Sequence, residues 1–261
     1  MIDLTKPLPQ RDFSPPKVLI YGTPGVGKST FAARSKNIDR VFFCDLENGH
    51  SAVRQELGEK YNGMYISNLD EFHVILDAML MQNHKYKYLV IDTVDWLETR
   101  VHEKVCKKYG ARSIYDGSNQ MTNYNKGPGL AKAEFDDILK KLDLLIEQKK
   151  MCVILLAHAQ INKTEELDGN SQKIYSMKTM DKLTNKLFTE WPDIIAFSTK
   201  PTAISATGAK IEGEPLLFFK STVAVVKART LQPMPETIPL DINLFWDEYK
   251  KANSKINLEG N

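Results

Sequence analysis

The chain has 261 residues, 42% of them hydrophobic and 26% charged, with a formal net charge of +2. That length suits one α/β domain with a large core and excludes two typical domains plus linkers. The slight basic excess argues neither for nor against nucleic acid, and three widely separated cysteines (Cys44, Cys106, Cys152) with no C-x-x-C pair exclude a zinc or disulfide framework. Cys44 and Cys152 lie inside apolar runs and read as buried thiols of a reducing cytosol. With no signal peptide and no apolar run of transmembrane length, a cytoplasmic protein with no membrane partner is expected.

Residues 1–16, ending in Ser14-Pro15-Pro16, read as an irregular lead-in, because proline excludes regular pairing there. Residues 17–21 form a short apolar strand. It runs into Gly22-Thr23-Pro24-Gly25-Val26-Gly27-Lys28-Ser29-Thr30, which fits G-x-x-x-x-G-K-[ST], and the residues from Ser29 onward can open a helix. A second buried strand covers 40–45 and ends in Asp45-Leu46-Glu47-Asn48-Gly49. A short helix over 51–57 and a short strand over 64–66 follow. Apolar residues at helical spacing then predict a helix over 69–81, capped by Asn68 or Asp70. Residues 86–92 read as a strand with Asp92 at its carboxyl end, and 94–109 as another helix.

Residues 110–129 differ in character, being polar, glycine-bearing and interleaved with Tyr115 and Tyr124. A loop that long in a compact domain is usually functional or disordered. A long amphipathic helix is expected over 131–150. The most apolar strand spans 151–157, as a central parallel strand should. Residues 162–173 read as a charged loop and 181–191 as a helix closed by Pro192. Strands over 194–199, 216–220 and 222–226, with turns at Thr207-Gly208 and Glu212-Gly213, change the rhythm. A proline-rich stretch leads to a last helix over 244–252, and 254–261 read as a flexible tail. The order implies α/β architecture over 17–253: a mostly parallel central sheet flanked by helices, with antiparallel strands at one edge. Ligands of such sheets bind at the carboxyl ends of the strands.

Glycines in the first loop let successive backbone N–H groups turn inward around phosphate oxygens, and a following helix N-terminus adds positive field. Gly22 through Thr30 are therefore the expected nucleotide cradle. Lys28 would reach the β- and γ-phosphates, and Ser29 and Asp92 would hold Mg²⁺ for bound ATP. Glu47 is the candidate for polarising the attacking water, on the expectation that its strand end neighbours the phosphate loop. Asp45 reads alternatively as a structural acceptor.

Several segments resemble the RecA-like P-loop ATPases. Phe43-Cys44-Asp45-Leu46-Glu47 looks like the family's strand bearing the catalytic glutamate, and Leu89-Val90-Ile91-Asp92-Thr93-Val94 like its metal-binding strand. Ala159-Gln160-Ile161-Asn162-Lys163 resembles a segment whose glutamine senses the γ-phosphate, which assigns that role to Gln160. Val225-Val226-Lys227-Ala228-Arg229 resembles a K-x-R segment that reaches a neighbour's ATP site, which implies a trans role for Lys227 and Arg229 in a homo-oligomer. The nearest resemblance is to short phage-encoded RecA-like ATPases, of the single-strand annealing or recombination type. It implies a DNA-stimulated ATPase binding single-stranded DNA through 110–129 and 162–178, with a single-strand-binding protein as a further partner. Arg112, Lys126, Lys163, Lys173 and Lys178 would face phosphates, and Tyr115, Tyr124 and Tyr175 would stack on bases. His158 is either turned to the γ-phosphate or a satisfied strand-end histidine. A partner-loading or regulatory ATPase, or a small-molecule kinase, are the alternative readings.

Overall fold

The computed structural model describes residues 14–124, 126–165, 171–204 and 210–254. The expected lead-in before residue 14, the tail from 255 and the turn at Thr207-Gly208 lie outside them. Six parallel strands make the centre of a ten-stranded sheet: β1 (Lys17–Gly22), β2 (Val41–Asp45), β3 (Gly63–Tyr65), β4 (Tyr88–Asp92), β5 (Cys152–Glu165) and β7 (Ile194–Thr199). Their spatial order is β7-β1-β5-β4-β2-β3. Antiparallel β10 (Leu216–Phe218), β11 (Lys227–Ala228) and β12 (Thr237–Pro239) extend the sheet on the β7 side. This is the α/β architecture that the sequence implied, a mostly parallel central sheet flanked by helices with antiparallel strands at one edge.

Alternation along the buried strands feeds two helical layers. Leu19, Ile91 and Leu155 point to the face covered by α3 (Leu69–Met81), α4 (Val94–Tyr109), α5 (Lys126–Lys149) and α6 (Lys182–Glu190), through Phe72, Leu97, Phe135 and Phe188. Ile20, Val90 and Leu156 point to the other face, covered by α1 (Lys28–Ala33), α2 (Ser51–Leu57) and α7 (Ile242–Asn253) through Phe31, Val53 and Phe245. Helix α3 starts where its sequence said, because the Asn68 side chain accepts from Glu71 N–H. Among the described residues, no helix is long and apolar enough to cross a membrane.

Four expectations need correction. Residues 162–165 and 171–173 are not loop: β5 continues to Glu165 and pairs antiparallel with β6 (Ser171–Met177) as a hairpin that runs on beyond the central strands, while 166–170 lie outside the described residues. Helix α5 begins at Lys126, so 126–129 belong to it; Pro128 is tolerated because the first turn has no intrahelical partner for its missing N–H. Residues 222–226 form no strand and meet the hairpin through one bridge, Ala224 to Tyr175. Around Glu212-Gly213, Lys210–Glu212 is instead β9, paired with β8 (Thr202–Ile204).

Gly22 sets how closely β1 lies against β7. A Cβ there would sit 2.4 Å from the Ser198 carbonyl oxygen, a backbone atom that cannot swing aside. Gly22→Ala is expected to destabilise the nucleotide-free protein by about 1–3 kcal/mol, read as a lower urea midpoint at unchanged slope.

Candidate nucleotide and metal site

The loop between β1 and α1 turns tightly: Gly25 (φ 71°) and Gly27 (φ 99°) take left-handed conformations that favour glycine. Helix α1 has only six residues, so a long helix dipole is not available to the loop; within the loop, Thr23 N–H donates to Ser198 O and Val26 N–H to Thr23 O. Lys28 is 6% exposed, and its Nζ lies 3.3 Å from both the Gly22 and Thr23 carbonyl oxygens. Burial pushes this ammonium below its usual range, while Asp92, Asp95 and Glu47 pull the other way. Ser29 Oγ donates to Asp92 Oδ2 at 2.5 Å, which joins α1 to the end of β4.

A cavity of about 340 Å³ is lined by Gly27, Lys28, Ser29, Glu47, Asp92 and His158 among others. Glu47 reaches it by a route that the sequence did not suggest. Strand β2 does not neighbour the phosphate loop, because β5 and β4 stand between β1 and β2. The chain after β2 turns instead over the end of β4, with Leu46 N–H donating to Asp92 O at 2.7 Å. The Asp45 carboxylate fixes that turn, accepting from the Gly49 and His50 N–H groups at 3.1 and 3.2 Å. Asp45 is thus a structural acceptor. Burial raises the Glu47 carboxyl above its usual range, with Asp92 and Asp95 adding to the rise and His158 opposing it.

His158 follows β1's neighbour β5 to the level of Gly22. Its Nδ1 lies 2.9 Å from Asp95 Oδ2, its backbone N–H donates to Asp95 Oδ1 at 3.1 Å, and its Nε2 is 3.9 Å from Glu47 Oε2. Asp95 was missed in the sequence because an acid in a helix's first turn usually serves the helix dipole. His50 was missed because its partner, Asp92, is remote in sequence: His50 Nε2 sits 2.8 Å from Asp92 Oδ2.

Ser29 and Asp92 offer hard oxygen donors, and the buried Asp92 is 3% exposed. Among the described residues, no group of three or more His, Cys, Asp or Glu could hold a metal ion. That donor set fits Mg²⁺, which is bound through one or two carboxylates plus phosphate oxygens and waters.

Other candidates lie elsewhere. Gln160 lines an adjoining cleft of about 220 Å³ with Asp95, Trp96, Glu98, Lys178 and Met180. Lys227 and Arg229 stand at the amino end of β7, the opposite end of the sheet from the phosphate loop: Lys227 pairs with Ile195, whereas Gly22 pairs with Ser198. Lys227 Nζ donates to the Thr189 and Glu190 carbonyls at the end of α6, and Arg229 lies 3.8 Å from Asp193. Tyr115 and Tyr124 are 51% and 90% exposed. Arg112 is paired with Asp116. Tyr175 does not present its ring for stacking on a base: it stacks on Phe197 at 4.9 Å beside the core.

The Asp95 bond raises the His158 imidazole above its usual value of 6.5, against burial, which lowers it. A raised folded pKa means the stabilisation is fully present below about pH 6.5. It is lost as pH rises through the folded value. Asp95 itself, held down by His158 against the raising effect of burial, titrates in acid and outside this window. Urea unfolding of wild type should therefore show stability falling between near-neutral and alkaline pH, and Asp95→Asn should flatten that dependence.

A scan against protein families matches residues 14–229 to the AAA domain. No curated protein sequence matches the chain. Among solved structures, the crystal structure of the RadB recombinase is similar, at 14% identity over 83% of each chain and a TM-score of 0.47. With most of its length matched, the chain belongs to the AAA domain family.

Proposed function

We propose that the protein binds and hydrolyses ATP with Mg²⁺, and that it does so as an oligomer on single-stranded DNA, in recombination or replication of the phage type. The observation that supports it most is the meeting of Lys28, Ser29, Glu47 and Asp92, from three separate elements, on one cavity. Mg²⁺ held by Ser29 and Asp92 would supply positive charge that offsets the charge developing on the phosphate oxygens. The backbone from Thr23 to Thr30 cradles the phosphates, and Lys28 exchanges the Gly22 and Thr23 carbonyls for phosphate oxygens. Ser29 and Asp92 hold the cation. Glu47 orients the attacking water and accepts its proton, a role that a carboxyl raised by burial suits.

Gln160, on the strand that carries His158, is the proposed sensor between this cavity and the β5–β6 hairpin. The exposed Tyr115 and Tyr124, with Lys163, Lys173 and Lys178 on or beside the hairpin, would take single-stranded DNA by stacking and phosphate contact. Lys227 and Arg229 cannot serve their own subunit's loop from the far end of the sheet. Their position suits head-to-tail assembly, in which one subunit's amino-end surface faces the next subunit's phosphate loop. The packing of Tyr175 against Phe197 removes one stacking platform and favours, as second reading, a partner-loading ATPase without direct DNA contact.

Lys28→Ala should abolish turnover while leaving the fold intact, and Glu47→Gln should bind nucleotide yet lose about 10²–10⁴-fold in rate. Normal hydrolysis by Lys28→Ala would end the ATPase reading. Adding single-stranded DNA should raise turnover, and Tyr124→Ala should cost about 1–3 kcal/mol of DNA binding for a stacked base. Turnover unmoved by DNA, with no salt-dependent binding, favours the partner-loading reading. Mixing Arg229→Ala with Lys28→Ala should restore part of the activity; silent mixed oligomers would remove the trans assignment.

A further inference from the structure

His50 ends the turn after β2 and precedes α2, yet its ring is turned inward and is 1% exposed. It is clamped edge-on between Phe43 and Tyr61, with ring centroids 5.4 and 5.9 Å away. Both ring nitrogens are engaged: Nε2 with Asp92 Oδ2 at 2.8 Å and Nδ1 with the Tyr61 hydroxyl at 2.9 Å. Tyr61 is held in turn by stacking on Phe43 and by the Arg54 guanidinium 5.3 Å from its ring centre.

A carboxylate oxygen only accepts, so Nε2 must carry the proton that it donates to Asp92. A neutral ring then leaves Nδ1 as an acceptor for the Tyr61 O–H. The hydrogen bonds from Ser29 and His50 both fall on Oδ2. They fix the plane of the carboxylate and leave Oδ1 as the oxygen available to a cation or its waters.

We propose that His50 is a positioning residue of the Mg²⁺ site, which holds the Asp92 carboxylate in ligating orientation while Tyr61 fixes the donating tautomer. The inference rests on the reading that Asp92 holds Mg²⁺. Its physical basis is that a partner bonded to a metal ligand governs affinity by orienting the ligand, and removing such a partner typically costs about 10–100-fold in metal affinity or activity. The same bond also ties the turn that carries Glu47 to the strand that carries Asp92, so one imidazole sets the spacing of both carboxylates.

The test is binding of a fluorescent ATP analogue to the full chain, titrated with Mg²⁺ and repeated in chelator. His50→Phe keeps the ring's shape and removes both nitrogens; it should raise the Mg²⁺ midpoint about 10–100-fold and leave binding in chelator unchanged. His50→Gln, whose amide N–H reaches roughly where Nε2 lies, should recover most of that loss. Tyr61→Phe should shift the midpoint in the same direction by less. An unmoved midpoint in His50→Phe, or equal losses with and without Mg²⁺, overturns the proposal. Should His50→Phe fail to fold by circular dichroism, the Tyr61→Phe midpoint decides: a wild-type value overturns the proposal and a raised one supports it. A wild-type protein indifferent to Mg²⁺ would remove the Asp92 reading itself; normal Mg²⁺ dependence with unmoved variants removes His50 alone.

Discussion

The Ser29–Asp92 hydrogen bond holds the site together. At 2.5 Å it lies in the range of charge-assisted O–H···O⁻ bonds. It spans from α1 to β4 although β5 separates β4 from β1. Around it the side chains that bear on Lys28 carry more acid than base: Asp92, Asp95 and Glu47, the last of them exposed, against Lys28 and His158. A triphosphate entering alone would meet that excess of negative charge. One that brings its own divalent cation turns the same carboxylates from repulsive to attractive, so the electrostatics of the protein and of the metal cannot be argued apart.

Much of this was legible in the sequence, wherever a short-range rule decided the outcome. Gly25 and Gly27 sit where the backbone needs positive φ. Asn68 caps α3. The span of α4, Val94–Tyr109, is the one expected from the sequence. Lys28, Ser29 and Asp92 lie close together because the first loop and a strand-end acid both have to open on the carboxyl edge of a parallel sheet.

What escaped the sequence depended on packing between remote segments. The β5–β6 hairpin was read as a loop because it runs on beyond the central strands, so its side chains have no single buried face to create alternation. Tyr175 looked like a surface aromatic among polar residues, but the bridge to Ala224 draws it against Phe197. The start of α5 was obscured by Gly127 and Pro128, residues that end helices in mid-chain and are harmless in a first turn. Glu47 does line the cavity with Lys28 and Asp92, but not through the adjacency of β2 and the phosphate loop that the sequence reading assumed. The strand order, which no local pattern reveals, makes the Asp45-fixed turn necessary.

The hairpin, although it runs on beyond the central strands, is rooted beside the cavity by one helix. In its first turn α4 presents Asp95, which accepts from both the backbone and ring of His158 at the base of the outgoing strand. One turn further on it presents Glu98, fully buried, whose two oxygens accept from Met180 and Asp181 N–H at 2.6 and 3.0 Å, just past the returning strand. Burial raises the Glu98 carboxyl, and those two amides with Thr184 oppose the rise, so the buried acid is fully engaged. Lys178 N–H donating to His158 O closes the base of the hairpin between these anchors. Helix α4 begins two residues after Asp92, so both anchors follow directly in the chain on the end of β4.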